Sequence, residues 1–243
     1  MAKVRLDQLV VERGLTASRE KAKALILAGQ VLLDGQKSDK AGREVSEDSK
    51  VELLAQPRFV GRGGLKMEAA LDHWNIDVTD KVGLDVGSST GGFTDCLLQR
   101  GARLVYAFDV GTNQMDWKLR THPRVVLRES FNARHLQPAD IAEPAHLLVA
   151  DVSFISITLI LPAAVALLHP RGELAILVKP QFEVGRGQVG KGGIVRDPAL
   201  HLEAVKKVSQ AVQALGFTTD VIDSPILGAE GNKEFLLYGR RTA

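Results

Sequence analysis

From about Gly63 onward, short apolar runs alternate with glycine-broken polar stretches and with segments of helical period. This alternation constrains the fold most. Parallel strands need a crossover of a dozen or more residues, so the pattern predicts a parallel sheet covered by helices. Strands are expected at 83–86, 104–110, 125–127, 147–152, 174–179, 218–222 and 235–238. A helix is expected over 66–74, where Met67, Ala70, Leu71 and Trp74 share one face. Another opens at Asp197 with Pro198 behind it, turns Val205, Val208, Val212 and Leu215 inward, and stops at Gly216. Residues 182–197 carry five glycines and are expected to form either a functional lid or a structureless connection.

Residues 1–55 differ in texture. "SREKAKALILAGQ" reads as a helix capped by Ser18, with Ala22, Leu25 and Ile26 inward and Gly29 past its end. "VLLDGQK" holds the Asp-Gly pair of a tight hairpin. Pro57 marks a linker, so the expected division is a small α+β domain at 1–57, a linker at 58–62 and the α/β domain at 63–243. Net charge is only +2, but residues 1–66 hold 13 Lys/Arg against 9 Asp/Glu, a basic excess that suits a polyanionic partner. No apolar run approaches the roughly 20 residues of a membrane helix, and no secretory segment is visible at the N-terminus. The single cysteine, Cys96, fits a reducing cytoplasm and cannot build a cysteine zinc site; the six histidines show no metal-ligand spacing.

"GLDVGSSTGGFTDCLLQRG" is strand, glycine turn and helix in that order. Asp85 lies at the strand end, and Gly87, Gly91 and Gly92, with Ser88 and Phe93 among them, bring the backbone close to a ligand at a helix start. The spacing is neither the dinucleotide fingerprint nor a phosphate loop, which would need Gly-Lys-Ser/Thr. A nucleoside ligand without phosphates suits it, with Asp85 facing a cationic group. Asp109 follows Asp85 by 24 residues at the end of the next strand, the place of an acid that accepts ribose hydroxyls. S-adenosylmethionine, with a ribose, an adenine, an amine and no phosphate, fits both halves. Asn132, after the third strand, is placed to meet the adenine.

In "LAILVKPQFE" an unbroken apolar strand runs straight into Lys179. Asp151 ends "HLLVA" in the same way, so both are expected at the carboxyl rim of the sheet, where open α/β sheets bind ligands. Burial lowers a lysine's proton affinity and a neighbouring carboxylate raises it, so such a lysine can handle the proton of a hydroxyl nucleophile. Spacing leaves equally open an ion pair that only bridges two strands.

The chain resembles the TlyA family, also called hemolysin A, whose methyltransferase domain is FtsJ-like and carries a K-D-K-E catalytic set. The matching residues here are Lys66 in "GRGGLKMEAAL", Asp151 in "VADVSFIS", Lys179 in "LVKPQFE" and Glu234 in "GNKEFLLY". "RLDQLVVERG", "SREKAKALILAGQVLLDG" and "DSKVEL" resemble the S4 RNA-binding fold. The resemblance implies a Rossmann-like S-adenosylmethionine-dependent sheet and 2′-O-methylation of cytidine in ribosomal RNA. It implies that Lys179 acts on the 2′-hydroxyl, that Asp151 orients Lys179, and that Lys66 with Glu234 completes the charge network. Taken without the resemblance, Lys66 falls just off the apolar stripe of its helix and reads as solvated.

A ribosomal RNA partner gives the basic N-terminal domain its task, with Arg5, Arg19 and Lys23 on phosphates. Arg186 and Lys191 would order the 185–193 loop over the RNA and help present a flipped-out nucleotide. Rival expectations are a base-nitrogen methyltransferase, a ribosome-assembly factor without activity, and a pore-forming haemolysin. The first lacks an Asn-Pro-Pro-Tyr motif, and the last lacks a membrane-inserting segment.

Overall fold

The structure is a computed structural model that describes residues 3–54, 58–228 and 230–241; the side chain of Arg186 and the residue Pro57 lie outside what it describes. The chain divides between Arg58 and Phe59 into two compact units.

The first unit runs β1 (Lys3–Arg5), α1 (Leu6–Glu12), α2 (Arg19–Leu27), β2 (Val31–Leu33), β3 (Gln36–Lys37), β4 (Glu44–Ser46) and β5 (Val51–Leu53). Ser18 caps α2 by accepting a hydrogen bond from the Lys21 N–H. The β2–β3 turn places Asp34 and Gly35 both at positive φ, as a two-residue hairpin of this twist demands. One small core, including Leu6, Leu9, Ala22, Ile26 and Val31, closes the unit.

The second unit contains α3 (Gly63–His73), β6 (Val82–Val86), α4 (Gly92–Gln99), β7 (Leu104–Phe108), α5 (Trp117–Arg120), β8 (Val125–Arg128), β9 (Ala145–Ala150), α6 (Leu161–Val165) and β10 (Leu168–Val178). It ends with α7 (Pro180–Glu183), α8 (Pro198–Ala214), β11 (Phe217–Asp223) and β12 (Phe235–Arg241). The strand order is β11-β12-β10-β9-β6-β7-β8. Alternate side chains of each strand enter two cores. One includes Leu84, Val86, Ile176, Val208 and Val212, beneath α6 and α8; the other includes Met67, Leu71, Leu97, Val149 and Leu177, beneath α3 and α4. The central strands are therefore dry on both faces, which explains their continuous apolar runs.

The sheet is parallel as expected apart from one strand. β12 is antiparallel to both β10 and β11, because the link from β11 carries no crossover helix and returns as a hairpin. The expected 58–62 linker also differs, since Phe59 is buried and the Val60 N–H donates to Asp95 Oδ2 at 2.9 Å, tying this segment to α4. The 182–197 stretch is exposed over much of its length but is not featureless. It holds the end of α7 and two single 3₁₀ turns, and Asn232 pins its far end by donating to the Gly193 carbonyl and accepting from the Val195 N–H.

Candidate active site

The reversal of β12 has a chemical consequence. In a parallel strand the rim residue follows the last apolar one, as Asp151 follows β9 and Lys179 follows β10. In a reversed strand the rim residue comes before the first. Ile176 pairs with Ala150 across β10 and β9, and Val178 pairs with Phe235 across β10 and β12. Asp151, Lys179 and Glu234 thus emerge from three adjoining strands at one rim. Lys66 reaches that rim from the first turn of α3.

Two close pairs result. Lys66 Nζ donates to Glu234 Oε2 at 2.5 Å, with side chains 7% and 3% exposed. Lys66 is thus buried rather than solvated. Lys179 Nζ lies 2.5 Å from Asp151 Oδ1, an ion pair whose angles fall short of an aligned hydrogen bond, and donates to Ser153 Oγ at 2.9 Å. Burying four charges is costly, and pairing them in a net neutral set limits that cost. Glu183 braces the loop carrying Asp151 and Ser153: its carboxylate accepts from the Ile157 N–H at 2.8 Å and from the Ser156 hydroxyl, and meets Lys207 at 3.2 Å.

At Asp151, on one side of the Lys179 pair, opens a cleft of about 460 Å³. Gly87, Asp109, Asn132 and Asp151 line it, as do Ser89, Val110, Gln114, Phe131, Arg134, Ser153 and Phe154. Asp109 is held rigidly, accepting from the Ser89 N–H at 2.7 Å and the Gly111 N–H at 2.6 Å. Asn132 caps a 3₁₀ turn through its carbonyl oxygen, so its amide NH₂ is not used by the cap. Phe131 packs on Phe108 with Arg128 over its ring, and forms an apolar wall. Phe154 is 92% exposed at φ +65°, an uncommon conformation for an aromatic residue and one that marks sites under functional constraint.

Asp85, Ser88, Gly91, Gly92 and Phe93 lie outside the cleft lining, as do Lys66, Lys179 and Glu234. At Gly92 the close approach is to protein, since a Cβ there would stand 2.9 Å from the Gly64 nitrogen of α3. Phe93 is buried in the same core. Gly87 does face the cleft, at φ +81° and with the Asp151 carbonyl only 2.7 Å from where a Cβ would sit. Asp85 is fully buried; its Oδ2 accepts from the Thr94 N–H and hydroxyl, while Oδ1 has no partner. Burial pushes its carboxyl up to about 7, helped by the Asp151 and Asp109 charges and opposed by Thr94. Ser88 is likewise buried with an unpartnered hydroxyl.

Of the residues expected on RNA, Arg5 and Arg19 both bond Asp7, Lys23 is exposed on α2, and Lys191 is exposed at the start of a 3₁₀ turn. Sequence reasoning missed Ser153, Phe154, Phe131 and Glu183. Ser153 and Phe154 stood two and three residues after a strand-end acid, a position that could have marked them. Glu183 carried no such signal, because its partners are 26 and 27 residues away.

An FtsJ-like methyltransferase family profile matches residues 59–241, and an S4 domain profile matches residues 4–51. The 16S/23S rRNA (cytidine-2′-O)-methyltransferase TlyA of Mycobacterium tuberculosis is 44% identical over 241 residues, 98% of this chain and 90% of that one. Hemolysin A of Brachyspira hyodysenteriae is 42% identical over 237 residues, 97% of this chain and 99% of that one. A solved structure from Streptococcus thermophilus, bearing a hemolysin name, covers 100% of this chain and 90% of its own at 44% identity and a TM-score of 0.75.

Proposed function

The chain belongs to the FtsJ-like methyltransferase family, with an S4 domain ahead of the catalytic unit, and from that premise we propose that it methylates ribosomal RNA. In this reading the methyl donor is S-adenosylmethionine and the acceptor is the ribose 2′-hydroxyl of a cytidine. The observation that carries it is the meeting of two lysine–carboxylate pairs at adjoining strand ends, with Asp151 of one pair lining a nucleoside-sized cleft.

The residues present fit the cofactor. Asp109 has lone pairs left for ribose hydroxyls, Asn132 has a free amide for the adenine, and Phe131 with Phe108 supplies an apolar wall. Gly87 leaves the cleft floor without a side chain. The unpartnered Oδ1 of Asp85 leaves a polar atom that a donor group of the ligand would satisfy. When bound, S-adenosylmethionine supplies an electrophilic methyl on a sulfonium.

The protein's own part is to prepare the nucleophile. A ribose hydroxyl is weak at neutral pH, so its oxygen must be held in line behind the methyl while its proton leaves. Lys179, fixed by Asp151 and Ser153, takes the 2′-hydroxyl, and the proton passes to the Lys179–Asp151 pair. Lys66 and Glu234, almost dry, position the ribose. Phe154 offers an exposed aromatic face on which a base turned out of its RNA can stack. Phosphate contacts come from Arg5, Arg19 and Lys23, and on the catalytic unit from Arg186 and Lys191. Such a substrate places the protein in the cytoplasm.

The test is incubation with ribosomal subunits and methyl-labelled S-adenosylmethionine, followed by digestion to nucleosides. Label in 2′-O-methylcytidine is expected, and label on a base overturns the reading. Lys179→Ala should lower transfer by roughly 10²-fold or more while cofactor affinity stays within about threefold; loss of both would make Lys179 a structural residue. The Brachyspira relative's name supports a second reading, membrane lysis. Among the described residues no helix is long and apolar enough to cross a membrane, and a haemolysis assay on protein freed of nucleic acid separates the two.

A further inference from the structure

Asp7 is the buried charge that catalysis does not use. It opens α1 fully buried, yet both its oxygens are engaged: Arg5 Nε donates to Oδ1 at 3.1 Å, and Arg5 Nη2 and Arg19 Nη2 each donate to Oδ2 at 3.1 Å. The two guanidiniums come from different elements, β1 and the first turn of α2, and both remain about half exposed at 46% and 47%. We propose that Asp7 is a positioning residue for RNA, holding Arg5 and Arg19 together as a two-pronged clamp for a phosphodiester. The inference rests on the ribosomal RNA substrate proposed above and adds a residue to it.

Two guanidiniums repel one another and, on flexible side chains, would point apart. Sharing one carboxylate oxygen forces their inner edges together and leaves the outer edges to solvent. The three charges sum to +1, so the clamp is one anion short of neutrality. A phosphate has the charge and the paired oxygens to complete it, and arginine forks are made for that geometry. Asp7 cannot compete for the ligand's place or repel it at contact, because it is sealed beneath the guanidiniums. Their charge in turn holds its carboxyl below the usual carboxylate range, with the Arg5 bond the largest cause.

The neighbouring backbone is shaped to the same end. The Asp7 N–H donates to the Ala41 carbonyl and the Leu6 N–H to the Arg43 carbonyl, which folds the 41–43 turn over the start of α1. Between them stands Gly42, where a Cβ would sit 3.3 Å from both Nη1 and Nη2 of Arg5. The turn therefore walls one side of the Arg5 guanidinium and leaves little freedom to swing.

The plain alternative is a triad that only staples α1 to α2, and the two differ in sign. Asp7→Asn removes a negative charge from a basic surface. If charge alone mattered, RNA affinity would rise; if Asp7 positions the arginines, it falls. The experiment titrates full-length protein into a transcript of ribosomal RNA over a salt series, with circular dichroism to show that each variant is folded. Asp7→Asn should bind about 5- to 20-fold more weakly despite its extra positive charge, and the log–log salt slope should shrink by about 1, one phosphate contact. Gly42→Ala and Arg19→Lys keep the net charge and should each weaken binding about 3- to 10-fold; they decide the matter should Asp7→Asn fail to fold. Unchanged or tighter binding by folded variants, with the wild-type slope, overturns the role of Asp7. Wild-type protein that shows no salt-dependent RNA binding sinks the substrate reading instead, so the two failures are distinguishable.

Discussion

Replacing Glu234 strands a buried ammonium. The Lys66 and Glu234 side chains are 7% and 3% exposed and meet at 2.5 Å, so water cannot take over the role of the lost carboxylate. Removing one partner of such a pair costs about 3–5 kcal/mol, because the surviving charge stays desolvated. In a unit of this size each kcal/mol lowers the melting temperature by about 2–4 °C, so Glu234→Leu should melt about 6–20 °C below the wild type. Glu234→Gln keeps an acceptor oxygen and should fall at the mild end. The double variant Lys66→Met/Glu234→Leu removes both charges and should regain most of the lost stability. It should regain none of the methyl transfer. Urea unfolding followed by circular dichroism, run beside the labelled-nucleoside assay, reads both quantities. A Glu234→Leu protein as stable as the wild type, or a double variant no more stable than the single one, would refute a dry ion pair at this rim.

Two further outcomes concern the end of β6 and its glycine turn. Asp85 ordinarily titrates near 3.8, and burial raises it to about 7 in the fold. The folded chain then keeps a proton that the unfolded chain gives up, so this group's contribution to stability falls as pH rises from about 4 to about 7, by ~4 kcal/mol at most. Asp85→Asn should flatten that decline in urea midpoints measured at several pH values; identical profiles for the two proteins would remove the claim that Asp85 is protonated by burial. Gly87→Ala forces a Cβ to within 2.7 Å of the Asp151 carbonyl at a φ of +81°. Calorimetry should show cofactor affinity reduced about tenfold or more in a protein that remains folded, and unaltered affinity would mean that Gly87 is not part of the cofactor's seat.

Local rules carried much of the fold. Ser18 and Asp197 cap their helices as their residue types require, because an N-cap is decided within three residues. The Asp34–Gly35 turn needed only its two residues. The apolar runs located six strands and much of the seventh, although β10 begins earlier than expected, at Leu168, and carries a register irregularity before Glu173. Asp109 and Gly87, which both line the cleft, could be placed together because they belong to one strand–turn–helix pattern and its successor.

The convergence of charges belongs to a different scale. Nothing near Glu234 in the chain announces that β12 runs backwards, yet that reversal alone brings an acid placed before a strand to the rim where Asp151 and Lys179 sit after theirs. Nothing near Lys66 announces that the first turn of α3 is sealed against a residue 168 positions away. Asp7 is the same case in miniature, a carboxylate whose worth depends on an arginine 12 residues on. Sequence determines what each short stretch prefers, since caps, turns and periodicity are settled by near neighbours. Only the assembled sheet decides which charges lose their water together, and desolvation is what ties four ordinary ionic side chains into two close pairs.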